Sequence, residues 1–370
     1  MMTDLFVTNQ LVKIIGSFGL SFSLALYLTP LIRQGAINYE ILDTPTTPLK
    51  NHTQAVPYMG GTAVYLSFLI TAALIFDFNA HLIGLLLGGT MITMVGLFDD
   101  LRVLPATFKL LIEVLIVWVV LKSDIQIQLI SLPILVSIPL SALWLLGISN
   151  SINIIDVSDG LAAGTSAVAA FFLFLIAFFN GDTLITTLTI ALCGSLLGFL
   201  HYNKEPASIY LGDTGSLFIG FTLASLSMIG AYTSHSIFGV ITPIAILFVP
   251  IFDVTLCSIA RLRKGISPLQ GSPDHFALRL KSKGWSASRI ARTTYVFGAF
   301  TGTLGLGITY SQPVVAGAIA GFVILLFLVL LITFLVAIPS PAPKQNTSPS
   351  PDQSTRSQSI KSSSPQRTSG

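Results

Sequence analysis

Long apolar runs alternate with short polar stretches along most of this chain, a pattern typical of membrane-spanning helices. Each run is close to the ~20 residues that a helix needs to cross about 30 Å of hydrocarbon. The runs are continuous, whereas the strands of a membrane β-barrel alternate apolar and polar residues. The pattern predicts about eleven transmembrane helices, at residues 11–32, 60–78, 81–98, 107–122, 126–149, 161–179, 183–201, 216–232, 236–259, 293–310 and 313–338.

The composition supports a chain embedded in lipid. Hydrophobic residues make up 52% of the 370 residues and charged residues 9%, with a mean hydropathy of +0.81. Soluble domains carry about 25% charged residues. Cys193 and Cys257 both lie inside apolar runs, so the sequence predicts neither a disulfide framework nor a thiolate metal site. We therefore expect an all-α, polytopic membrane helix bundle over residues 1–338.

Basic residues concentrate on one side of the predicted bundle. Loops rich in Lys and Arg stay in the cytoplasm, which predicts a multi-pass protein of the cell inner (plasma) membrane with the N-terminus outside and the C-terminus inside. The Ser/Pro-rich segment 339–370 lacks apolar periodicity and is expected to be a disordered cytoplasmic tail. The basic segments are 33–59, 99–109, 202–215, 260–292 and this tail.

Five carboxylates lie close to predicted helix ends on the cytoplasmic side. Taken singly, each has a structural explanation, such as capping of a helix near Ser216 by Asp213. Five on one face would repel each other unless a cation were present, and Mg²⁺ prefers a few carboxylates together with substrate phosphates. The five are Asp99, Asp100, Asp156, Asp159 and Asp213.

Amide, glycine and basic residues accompany these acids. Segment 211–216 places two glycines before a helix start, which favours close approach of a phosphate to backbone N–H groups. Asn150 and Asn153 precede Asp156 and Asp159 at intervals of three, so a helix would align the four in one polar stripe suited to a nucleotide. The basic candidates for pyrophosphate binding, which the positive-inside bias also explains, are Lys50, His52 and Lys109.

Four motifs together resemble the polyprenyl-phosphate N-acetylhexosamine-1-phosphate transferases. This family includes the undecaprenyl-phosphate N-acetylglucosaminyl 1-phosphate transferases and the phospho-N-acetylmuramoyl-pentapeptide transferases. The resemblance covers residues from about 10 to 338, with the motifs in matching order. They read PYMGG at 57–61, GLFDDLR at 96–102, NSINIIDVSDGL at 150–161 and PASIYLGDTGS at 206–216.

The resemblance implies transfer of a sugar 1-phosphate from a UDP-N-acetylhexosamine to a polyprenyl phosphate, with release of UMP. It further implies Mg²⁺ as the cofactor, with Mn²⁺ as an alternative, and a membrane location without a nucleic-acid partner. A monomer and a homodimer both remain open.

The resemblance also implies roles for individual residues. Asp213 is expected to ligate Mg²⁺. Asp99 and Asp100 would position the metal or the acceptor phosphate, one of them acting as a base. Nucleotide binding and shaping of the metal site would fall to Asn153, Asp156 and Asp159, and Lys109 would contact phosphate.

The last large loop departs from the family, because it carries one histidine where familiar members carry two or three. Ser272 followed by Pro273 predicts a helix start. On that helix His275 and Arg279 would share a face and read the donor sugar. We therefore expect UDP-N-acetylglucosamine as the donor, with the muramoyl-pentapeptide donor as the alternative.

Two other classes of function remain open. Glu113 and Asp253 lie within apolar runs, and acids at membrane depth also mark the ion pathways of transporters. The chain shows no inverted repeat, and its acids cluster at helix ends, which favours the enzyme. A catalytically inactive lipid-binding relative is the second alternative, since the multi-histidine cluster is missing.

Overall fold

The computed structural model describes residues 2–43, 55–75, 80–123, 125–127, 133–268, 270–338 and 340, with side chains from residue 10 onward. The expected substrate residues Lys50 and His52 lie outside the described residues. So does the predicted tail, apart from Ser340.

The chain folds into helices joined by short loops. A two-residue antiparallel ladder, β1 (Leu42–Asp43) with β2 (Val56–Pro57), closes the first loop and was not expected. A 3-10 turn, Ile237–Ile241, precedes α9. The helices are α1 (Met2–Asn38), α2 (Gly60–Ile75), α3 (Ala80–Leu101), α4 (Ala106–Leu121), α5 (Ile134–Ile155), α6 (Leu161–Phe179), α7 (Thr183–Asn203), α8 (Gly212–Ile229), α9 (Thr242–Ile246), α10 (Phe248–Arg263), α11 (Phe276–Ser282), α12 (Ala287–Tyr310) and α13 (Pro313–Val336).

The all-α membrane bundle predicted from the sequence is confirmed. Within the described ranges, six helices are long and apolar enough to cross a membrane. A seventh crossing results if the segments Ile237–Ile246 and Phe248–Arg263, bent by 76°, form one broken span. All eleven predicted segments overlap helices, but α2 and α4 have 16 residues each and reach only about 24 Å. A count of about eleven crossings therefore stays a prediction.

Both boundaries predicted for the fifth span differ from the structure. For the segment predicted at 126–149, the described helix begins at Ile134, with Pro133 at its N-cap. The same helix continues to Ile155, beyond the predicted end. In this extension, the polar final turns of α5 pack against α8, where the Asn153 amide donates a hydrogen bond to the Ser216 hydroxyl at 2.9 Å.

Helix α8 forms the centre of the bundle, and every residue from Thr214 to Met228 is buried. It packs against α2, α3 and α5 at short range. A Cβ on Gly61 of α2 would lie 2.1 Å from the Gly215 backbone, and one on Gly96 of α3 would lie 2.4 Å from the Asp213 carbonyl oxygen. Glycines at these two positions let the helix backbones approach directly, as small residues do in membrane helix pairs.

The α2–α8 contact gives a stability prediction. We expect Gly61→Ala to lower the free energy of unfolding by about 1–3 kcal/mol, because the methyl group meets backbone atoms that cannot move aside. The matched control is Gly321→Ala on exposed α13, where an added Cβ has no neighbour within 4 Å. Thermal unfolding in detergent should show a lower midpoint for the first variant and an unchanged or slightly higher one for the second. Equal midpoints would contradict the close approach.

Candidate active site

Two helix ends and one loop bring the five sequence-predicted carboxylates together. Asp99 and Asp100 lie in the last turn of α3, and Asp213 lies in the first turn of α8. Asp156 and Asp159 lie in the loop that follows α5. The Asp156 carboxylate interacts electrostatically with Asp100, Asp159 and Asp213, and Asp213 interacts with Asp99. The clustering expected from their positions near helix ends is therefore present.

Asp100 caps the N-terminus of α8 from a neighbouring helix. Its carboxylate accepts backbone N–H bonds from Asp213 at 2.8 Å and Thr214 at 3.0 Å, and a hydroxyl bond from Thr214 at 2.6 Å. Gly212 has a φ of +73°, and a Cβ there would lie 2.6 Å from Asp100 Oδ2. The capping role considered for Asp213 thus belongs to Asp100. Because both of its oxygens accept hydrogen bonds, Asp100 is poorly placed to act as a base.

Lys109 stands between two of the acids. Its ammonium lies 2.9 Å from Asp99 Oδ2 and also contacts Asp213 Oδ2. Asp99 Oδ1 accepts a hydrogen bond from Leu104 N at 2.6 Å, which holds the loop between α3 and α4. Asn153 donates its amide to Asp213 Oδ1 at 2.8 Å. The ammonium therefore occupies a position that a cation prefers, bridging carboxylates of α3 and α8.

Asp156 is the free carboxylate of the cluster. It makes no side-chain hydrogen bond or ion pair within the described residues, whereas Asp159 accepts from Ala207 N at 3.0 Å. Burial raises the pKa of Asp156 to about 8, and repulsion from Asp213, Asp100 and Asp159 adds to the shift. The five carboxylates thus exceed the single ammonium of Lys109 in charge, and this excess fits a divalent cation.

The predicted polar stripe is only partly helical. Helix α5 ends at Ile155, so Asn150 and Asn153 lie on it while Asp156 and Asp159 lie in the following turn. Asn150 donates to Glu113 Oε2 at 2.5 Å, and Glu113 Oε1 has no partner in the described part of the chain. The sequence did not indicate Glu113 as part of this site.

Glu113 and Lys109 share the buried face of α4 at a spacing of i and i+4. This spacing of two charged residues within an apolar run was the signal in the sequence that could have identified Glu113 as part of the site. Other polar groups that the sequence did not single out are Tyr58, which donates to the Asp100 carbonyl at 2.7 Å, and Thr214.

His275 and Arg279 lie in a different cluster. Helix α11 begins at Phe276 and not at Ser272, because Asp253 of α10 accepts the Phe276 N–H at 2.8 Å and supplies the cap. Arg279 is 2% exposed and donates to the carbonyls of Phe334 at 2.6 Å and Ile338 at 2.7 Å. The substrate contacts expected of His275 and Arg279 stay predictions, and those of Arg279 would require these bonds to break.

The family model described as glycosyl transferase family 4 matches residues 82–231. A probable undecaprenyl-phosphate N-acetylglucosaminyl 1-phosphate transferase of Bacillus subtilis (strain 168) is 33% identical over 300 residues, which cover 78% of this chain and 83% of the relative.

Two further relatives have other names. A decaprenyl-phosphate N-acetylglucosaminephosphotransferase of Mycobacterium leprae is 31% identical, covering 66% of this chain and 71% of its own. A phospho-N-acetylmuramoyl-pentapeptide-transferase of Caldanaerobacter subterraneus is 33% identical, covering 59% of this chain and 75% of its own. The matched region contains all five clustered carboxylates and Lys109, and the chain belongs to glycosyl transferase family 4.

Proposed function

We propose that this protein transfers N-acetylglucosamine 1-phosphate from a UDP-sugar to a polyprenyl phosphate, releasing UMP. The carboxylate cluster around Lys109 is the observation that carries the proposal, since phosphoryl transfer depends on positioned charge. Undecaprenyl phosphate is the proposed lipid, and the product would start a cell-envelope polysaccharide. Relatives named for N-acetylglucosamine transfer to undecaprenyl or decaprenyl phosphate support this choice.

The donor set fits Mg²⁺, with Mn²⁺ as an alternative. Asp213 and Asp99 offer carboxylate oxygens that at present share one ammonium, and Asp156 offers a carboxylate without a partner in the described ranges. Carboxylates of this kind hold Mg²⁺ together with substrate phosphates. A bound ion supplies positive charge to the pyrophosphate and to the departing UMP.

The chain's own residues have distinct tasks in the proposed reaction. An oxygen of the acceptor phosphate bonds to the sugar-linked phosphorus, the bond from that phosphorus to the bridging oxygen breaks, and UMP leaves. Lys109 balances negative charge between Asp99 and Asp213, and Asn153 orients Asp213. Asp156 is proposed to help shape the metal site, where a bound cation would favour the ionised form of a carboxyl that otherwise keeps its proton near neutral pH. Asn150 and Asp159 are proposed to contact the nucleotide.

We place the site on the cytoplasmic face of the inner membrane, with the N-terminus outside and about eleven crossings. The Lys- and Arg-rich loops on the side of the carboxylates support this orientation.

A cysteine introduced at Ser208 should react with membrane-impermeant thiol reagents only after the cytoplasmic face of the membrane is made accessible.

Removal of the Asp213 charge gives the first test. Metal ions contribute several kcal/mol to transition-state stabilisation, so Asp213→Asn should lower UMP release by purified protein about 100-fold or more. Asp182→Asn is the control, because Asp182 caps α7 by accepting the Ile185 N–H and asparagine caps equally well. Activity near that of the wild type that also resists chelators would rule out the assignment of Asp213.

The raised pKa of Asp156 gives a pH-dependence. A folded-state pKa of about 8, against an ordinary value of 3.8, means that the folded protein favours the protonated carboxyl. The resulting stability is present at acid pH and is lost as the pH rises through about 8. Without divalent ions, the unfolding temperature should therefore fall between pH 6 and about 8 more steeply in the wild type than in Asp156→Asn. Mg²⁺ should raise it most at the alkaline end, and parallel curves for both proteins would contradict the shift.

The alternative donor is UDP-N-acetylmuramoyl-pentapeptide, which the Caldanaerobacter relative's name makes relevant. The single histidine of the last loop favours the smaller donor. We expect purified protein given both donors with a polyprenyl phosphate to form mainly the N-acetylglucosamine product. Preferential transfer of the muramoyl-peptide would reverse the choice of donor while leaving the reaction class intact, and the lipid product can be identified by mass spectrometry.

A further inference from the structure

Three metal-ligating side chains converge away from the carboxylate cluster. Asp253 and Cys257 stand one turn apart on α10, and His275 immediately precedes α11. His275 Nδ1 lies 2.8 Å from Asp253 Oδ2 and 3.4 Å from Cys257 Sγ. One ligand atom from each residue lies within 4.8 Å of the others, and all three residues are buried.

Both contacts fall on the same ring nitrogen, so Nδ1 cannot donate to Asp253 and accept from the Cys257 thiol at the same time. If Nδ1 carries a proton, it can donate to Asp253, but it then has no lone pair for the Cys257 thiol. If Nδ1 is unprotonated, it can accept from the thiol, but it then faces the Asp253 carboxylate lone pair to lone pair. A cation between the three atoms would satisfy all of them at once.

The donor set selects the kind of cation. Thiolate and imidazole ligands favour Zn²⁺, whereas Mg²⁺ prefers oxygen ligands alone. Tetrahedral Zn²⁺ with ordinary bond lengths separates its nitrogen and oxygen ligands by about 3.4 Å, and its nitrogen and sulfur ligands by about 3.6 Å. Compared with the 2.8 Å and 3.4 Å observed, the His275–Asp253 pair would need to open by roughly 0.6 Å and the His275–Cys257 pair by roughly 0.2 Å. One carboxylate and one thiolate balance the double charge of the ion.

Neighbouring groups keep the three side chains in place. The second oxygen of Asp253 accepts the Phe276 N–H at 2.8 Å, which fixes the carboxylate. Arg261, one turn beyond Cys257 on α10, donates to Ser272 Oγ at 2.8 Å and to the Pro268 carbonyl at 2.6 Å, which ties these two loop residues to α10. Outer contacts of this kind orient metal ligands.

We propose that Asp253, Cys257 and His275 form a zinc-binding site that ties α10 to the start of α11. This site differs from the carboxylate cluster in both its helices and its ligands, and it does not depend on the proposed transfer reaction. Cys257, which the sequence gave no reason to regard as a ligand, becomes its thiolate. The metal would have a structural role, holding the last large loop against α10.

The test uses the untagged full-length protein, stripped of metal by a chelator and titrated with Co²⁺ or Zn²⁺ alone. Co²⁺ should give a thiolate charge-transfer absorption band with about one ion per chain, and Zn²⁺ should abolish the band by displacing the Co²⁺. We expect Cys257→Ser to lose the band and to bind at least tenfold more weakly. Cys193→Ser is the matched control, because Cys193 is the other cysteine and lies buried on α7, so this variant should retain the band.

A second measurement covers the case in which Cys257→Ser does not fold. In the Cys193→Ser protein, Zn²⁺ should slow the modification of the remaining thiol by a thiol reagent at least tenfold, and Mg²⁺ should not. Absence of a band in the wild type, persistence of the band in folded Cys257→Ser, or unprotected thiol modification would overturn the proposal. UMP release is measured separately, so failure here leaves the proposed transferase function untouched.

Discussion

The Asp100 carboxylate at the N-terminus of α8 is the interaction on which the rest of the site depends. A buried helix start leaves backbone N–H groups without partners, and a carboxylate from another helix satisfies them while also matching the positive end of the helix dipole. The cap joins α3 to α8 and brings Asp99, beside it, towards Asp213 in the first turn of α8. Gly96 and Gly212 allow the approach, because side chains there would collide with the Asp213 backbone and the Asp100 carboxylate.

Charge balance explains how so many acids share one end of a membrane bundle. Lys109 pairs with two of them, backbone and hydroxyl donors hold Asp100, and Asp156 keeps a proton near neutral pH. The acids that suggested an ion pathway are also partnered: Glu113 accepts from Asn150, and Asp253 contacts His275. Paired acids in two separate clusters, within a chain of glycosyl transferase family 4, favour a catalytic membrane protein over a transporter.

The last large loop shows how tertiary contacts redirect local signals. Ser272 and Pro273 form a good helix start by local rules, yet the helix begins at Phe276, where Asp253 supplies the cap from α10. Arg279 then uses its donors on carbonyl groups at the end of α13. The same fold places Cys257 beside His275, a pairing that a separation of 18 residues across a helix and a loop does not reveal.

The sequence alone determined the all-α membrane bundle. Its apolar runs are long enough to cross a bilayer, and a chain segment in lipid must satisfy its own backbone hydrogen bonds, which a helix does. It also identified the five carboxylates, since acids at helix ends stand out against so apolar a chain. The tertiary structure alone decided which acid caps and which is free, because the start of α8 reaches the Asp100 carboxylate, whereas Asp156 has no hydrogen-bond partner within the described residues. It likewise decided the partners of Glu113, Arg279 and Cys257, which arise from helices that are distant in the chain and adjacent in the fold.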